Sequence, residues 1–160
     1  MTETFRSTDH RVCPPRRFED LRIGEGFALP SRTMTDGIFA AFQAASGDNH
    51  PIHYDVEYCR RHGHDDLLAH GMQVFIQTAA GAGLFPHMIG DALIGMIEAS
   101  FQIRKPVLRG DTLYPALTIT DLKPQNTTGV VTMRATVHNQ NDELVMDGQH
   151  RYLLRLGSAP

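Results

Sequence analysis

Cysteine is scarce in this 160-residue chain, with only Cys13 and Cys59 present. Two thiols, one of them in a polar N-terminal stretch, make no disulfide framework, which fits a reducing cytoplasm. Positive charge is not in excess either. The 15 Lys and Arg stand against 18 Asp and Glu, for a formal net charge of -3. That removes the electrostatic reason to expect nucleic acid or an anionic membrane as a partner. No apolar run approaches the ~20 residues needed to span a bilayer. The first residues lack the apolar core of a secretory signal. There is no Gly-Xaa-Ser-Xaa-Gly nucleophile motif. Gly81-Xaa-Gly83 falls inside a helical pattern and is therefore not a phosphate loop.

What is present is ordinary globular material, 41% hydrophobic and 21% charged, enough for one domain with a real core. Residues 1–17 read as a polar, arginine-rich tail with a Pro14-Pro15 pair, and Ser158 to Pro160 as a short free end. Residues 18–157 read as the domain. A short strand over Phe27 to Thr33 is interrupted by Pro30, and Thr35 or Asp36 can cap a helix over Gly37 to Ala45. Asp55 can cap a second helix over Val56 to His62, on which Cys59, beside Arg60 and Arg61, reads as a plain surface cysteine. Met72 to Phe85 carries the strongest helical periodicity, with Pro86 as its terminator. From Ile97 onward the chain alternates in strand fashion. Pro115 suggests an edge or bulge within one of those strands. Helices first and consecutive strands second argue for an α+β fold, an antiparallel sheet wrapped on the central helix.

The chemistry concentrates in Ser46-Gly47-Asp48-Asn49-His50-Pro51-Ile52-His53-Tyr54-Asp55. On a helix the offset from Asp48 to His53 would place the two roughly 140° apart. A loop bent at Pro51 can instead aim both at one point, because proline fixes its own φ and restricts His50. The stretch reads either as an acid/base loop or as a polar turn. Nine histidines in the chain also raise a metal site, through His50 with His53 or through His62, His64, Asp65 and Asp66. The second run follows a polar segment, and we expect no metal and no cofactor. His70-Gly71 opens the central helix, where free N–H groups favour a developing negative charge.

The sequence resembles the MaoC-like dehydratases, the (R)-specific enoyl-CoA hydratases of the hot-dog fold. Three motifs carry the resemblance in order: Gly47 to Asp55, Ala69-His70-Gly71-Met72, and Lys105-Pro106-Val107-Leu108-Arg109-Gly110-Asp111-Thr112. It departs from that pattern at His50, where the family has asparagine, and over Gly63 to Leu68, where the usual aromatic and arginine are missing. The resemblance implies a single hot dog with a long central helix, about Gly71 to Phe85. It implies a hydro-lyase in which Asp48 and His53 hold a water and the Gly71 N–H stabilises the thioester oxygen. Asn49, His50, Pro51, His70, Met72, Arg104 and Lys105 become candidate substrate contacts. The expected partners are an acyl-CoA thioester and a second copy of the chain, with neither nucleic acid nor membrane. A thioesterase on the same fold, or a non-catalytic acyl-thioester-binding subunit, are the alternatives.

Overall fold

In the computed structural model, which describes residues 5–157, the alternating segments form one antiparallel sheet. Its strands are β1 (Gly26–Ala28), β2 (Arg32–Thr33), β3 (Leu93–Ile103), β4 (Thr112–Pro124), β5 (Thr128–His138) and β6 (Leu144–Arg155). The spatial order is β1-β4-β5-β6-β3, with β2 beside β4. The period-two pattern sets the buried face. Val131, Met133, Ala135 and Val137 of β5 are fully buried, as are Leu113, Leu117 and Ile119 of β4. Burying an aliphatic side chain of this size contributes roughly 1.5–3 kcal/mol. The expected tail and free end include residues 1–4 and 158–160, which lie outside the described residues. Residue 16 of the tail is anchored, its N–H donating to Met88 O at 2.8 Å and its guanidinium pairing with Glu25.

Pro115 explains the interrupted first strand. It pairs with Val137 of β5 on one side. On the other, its carbonyl accepts from Leu29 N at 3.0 Å. A strand residue directs its N and its O to the same side, so the missing N–H faces the gap between β1 and β2, where no ladder bond is lost. The bulge lies further on, between Ile119 and Asp121.

The helices are short: α1 (Asp36–Ser46), α2 (Val56–Arg61), α3 (Gly71–Phe75) and α4 (Phe85–Ile89). Asp55 caps α2 as expected, its Oδ1 accepting from Tyr58 N at 2.9 Å. Cys59 is not a surface residue. It is fully buried, and its thiol donates to Ile52 O, because it lies one turn from Val56 on the inward stripe.

The long central helix is also corrected. After α3 the chain passes through a 3-10 turn at Ile76–Thr78, breaks at Ala79, makes a second 3-10 turn at Ala80–Ala82 and extends at Gly83. Pro86 does not end a helix; it sits in the first turn of α4. Two glycines, each costing ~1 kcal/mol in a helix interior, leave little side chain there to hold a helix against the sheet. Polar Gln73, Gln77 and Thr78 are buried in this segment beside Val74 and Ala80, while Met72, Ile76 and Leu84 are about half exposed. The β3 strand repeats the inversion. Its Ile94, Met96, Ile97 and Ile103 face outward, while Leu93 and Phe101 pack against the core, Phe101 stacked on Phe75. Among the described residues no helix is long and apolar enough to cross a membrane, which says nothing of β-barrels.

Candidate active site

α1 delivers the chain to the site. It ends on Gly47, whose φ of +69° is left-handed backbone that glycine adopts without strain. The next residues fold on their own side chains. Asp48 Oδ1 accepts from His50 N at 3.1 Å, and His50 Nδ1 accepts from Ile52 N at 3.3 Å. A 3-10 turn follows over Pro51–His53, begun by the proline. His50 therefore serves as a cap. Its ring nitrogen takes the place of an amide oxygen, which answers the departure from the family pattern. Asn49 points elsewhere, accepting from Gln43 Nε2 at 2.6 Å.

His53 lies against the strand-like segment 67–69. Its Nδ1 is 2.6 Å from Leu68 O. A carbonyl only accepts, so Nδ1 carries the proton and Nε2 is left bare, the form a general base requires. The same segment is pinned to the third motif by Ala69 N to Val107 O at 2.8 Å and Arg109 N to Leu67 O at 2.9 Å. Those bonds bring all three motifs to one place.

His70 closes the group. Its ring stacks on His53 at 3.5 Å between centroids and 21° between planes. Its Nε2 lies 3.5 Å from Asp48 Oδ2 and 3.3 Å from Tyr54 Oη. One polar atom from each of Asp48, His53 and His70 falls within 4.8 Å of the others. Near-parallel rings aim their in-plane lone pairs side by side rather than at one point, so the set suits proton transfer better than tetrahedral metal ligation. His50 is turned to its own backbone, and His62 stacks on Tyr58 with its Nδ1 at Tyr58 O.

The electrostatics separate the acid from the base. The His50 N–H, helped by the neighbouring imidazoles, holds the Asp48 carboxyl below the ordinary range. Burial pushes the His53 imidazole down; His70 adds to this, while the Leu68 carbonyl and Asp48 oppose it. Near neutral pH the pair is thus a carboxylate beside a neutral imidazole. Burial, and then Asp48, push the Tyr54 phenol up.

Gly71 is the first residue of α3, a position whose N–H has no intrahelical acceptor. It lines an apolar cleft of about 280 Å³ with Leu68, Val74, Ile103, Arg104 and Lys105. Lys105 pairs with Glu143, and Arg104 lies 3.6 Å from Asp147. Arg109 spans Asp36 and Asp66 and is committed to the scaffold. Met72 is half exposed. Sequence reasoning missed Tyr54, Phe42, whose ring lies 4.7 Å from that of His70, and Gln73. The capping-box spacing from His70 to Gln73 was the available signal.

The FAS1-like dehydratase domain region matches residues 22–148. The chain belongs to that family, the MaoC-like hot-dog dehydratases. A UPF0336 protein of Streptomyces griseus is 31% identical over 121 residues, 71% of this chain and 79% of that one. An (R)-specific enoyl-CoA hydratase of Rhodospirillum rubrum is 28% identical over 123 residues, 74% and 78% of the two chains. Among solved structures, a monoamine oxidase regulatory protein from Archaeoglobus fulgius superposes with a TM-score of 0.85 at 25% identity, covering 93% of this chain and all of that one. The hot-dog fold of this MaoC-like chain, and its kinship with hydratases and dehydratases, follow.

Proposed function

We propose that this chain reversibly hydrates trans-2-enoyl-CoA to (R)-3-hydroxyacyl-CoA. The observation that carries the reading is the Asp48 carboxylate beside an imidazole whose Nε2 is bare, both packed against His70, which directly precedes α3. A water held between Asp48 and His53 loses a proton to His53 Nε2 as its oxygen bonds Cβ. The alkene electrons move through Cα to the thioester oxygen, where the Gly71 N–H meets the developing charge. The proton on His53 then passes to Cα from the same face. Dehydration is the reverse. Asn49, His50 and Pro51 shape the loop, His70 backs the reacting pair, and Met72 borders the acyl entrance. Arg104 and Lys105, at the apolar cleft, are the cations within reach of the CoA phosphates.

A second copy of the chain completes the assembly in this reading. It is supported by the free edge of β3 and by apolar Met72, Ile76, Ile97 and Ile103 lying outward where polar Gln73 and Thr78 lie inward.

Loss of enoyl absorbance across enoyl-CoAs of different length and branching, with chiral analysis of the product, tests the reaction. General acid–base help is worth about 10²–10⁴-fold. Asp48→Asn and His53→Ala should therefore each lose at least ~100-fold in kcat with unchanged circular dichroism. Near-normal turnover in either variant refutes the assignment. Release of free thiol from a saturated acyl-CoA, with no change in absorbance on crotonyl-CoA, would make the protein a thioesterase instead.

A further inference from the structure

Gln73 is fully buried in α3, and its amide nitrogen has no hydrogen-bond partner among the described residues. Such an orphan donor is destabilising, and a methionine of similar length would fill the space without that cost. The orientation of the amide is not free to change. The His70 backbone N–H lies 3.2 Å from Gln73 Oε1, and an N–H can only donate, so the oxygen must face it. That same oxygen lies 3.3 Å from His70 Nδ1.

We propose that Gln73 is a positioning residue, which holds neutral His70 as its Nδ1–H tautomer and so keeps the Asp48 carboxylate free for water. A neutral imidazole carries one N–H. When Gln73 Oε1 takes it at Nδ1, Nε2 is an acceptor, filled by the Tyr54 hydroxyl 3.3 Å away. The other tautomer would place an N–H at Nε2, 3.5 Å from Asp48 Oδ2. That donor would engage the oxygen on which the hydration reading depends. The inference of a role in turnover rests on that reading; the tautomer itself does not.

Long-range 1H–15N correlation spectra of the intact protein at neutral pH test the tautomer without any substrate. The wild type should show a protonated Nδ1 and a bare Nε2 on His70, and Gln73→Met should move the proton to Nε2. In turnover Q73M should lose about tenfold or more in kcat with KM nearly unchanged. In a His70→Ala background Q73M should cost nothing further, since Gln73 acts through His70. An Nε2–H tautomer in the wild type overturns the proposal even if Q73M does not fold. So does a Q73M protein that keeps the Nδ1–H. Absence of hydration by the wild type would remove the functional reading and leave the spectra to decide the tautomer.

Discussion

At the scale of single residues, His50 shows how one chemical group stands in for another. Its Nδ1 accepts from Ile52 N and starts the turn that aims His53. His50→Asn keeps an acceptor at that point, and His50→Ala removes it. Loss of such a cap costs about 0.5–2 kcal/mol. We expect H50A to lower the unfolding free energy by that amount and to reduce kcat, while H50N stays close to wild type in both; urea titration and the enoyl assay read the two effects. The convergence of Asp48 and His53 was half legible in the sequence: glycine, proline and their spacing pointed to a bent loop but left an acid/base loop and a polar turn equally open. Tyr54 and Gln73 were not legible, although Tyr54 lies inside the first motif and Gln73 directly follows the second. Their roles depend on where His70 lands relative to the loop, and that is a tertiary contact between segments some sixteen residues apart.

At the scale of elements, the strands were legible and the central helix was not. Alternation reports burial on β5, though not on β3, whereas helical periodicity over Met72 to Phe85 joined buried Ala80 with half-exposed Met72, Ile76 and Leu84 on one apolar face. The chain breaks at Ala79 because Thr78 is held otherwise. Its hydroxyl donates to Phe75 O at 2.7 Å and accepts from His150 Nε2 at 3.0 Å, and His150 Nδ1 accepts from Tyr152 Oη at 2.9 Å. This buried relay ties β6 to the segment behind α3 and requires a neutral His150. Burial pushes that imidazole down to about 4. An unfolded histidine titrates near 6.5, so between these values the unfolded chain binds the extra proton. The contribution is complete above about pH 6.5 and is lost as pH falls toward 4, amounting to roughly 3 kcal/mol. Unfolding free energies at several pH values, compared between wild type and His150→Gln, isolate it. The wild type should lose more stability over that window, and parallel curves would refute the relay.

For the whole molecule, the inverted burial is the fact that a single chain does not account for. Polar Gln73, Gln77 and Thr78 are inside, while Ile94, Met96, Ile97, Ile103, Met72 and Ile76 are about half exposed. Several of these lie on or beside β3, which among the described residues pairs only with β6 and presents an open edge. An exposed edge with apolar side chains invites pairing. A second β3 laid against it would extend the sheet and cover the apolar residues of α3 at the same time. Stable interfaces of this kind bury about 1,600 Å² in total, within reach of an eleven-residue strand and one helical turn. Ile97 suits the test because it is 51% exposed in the single chain, so a lysine there leaves the monomer core intact and places two charges face to face across the pairing. Sedimentation should give the wild type twice the 17.8 kDa of one chain, and Ile97→Lys should run as a folded monomer. If pairing also shapes the cleft beside Ile103, Lys105 and Gly71, the variant should raise KM for long enoyl-CoAs more than for short ones. A wild type that sediments as a monomer at micromolar concentration would leave the inverted burial unexplained and overturn the pairing.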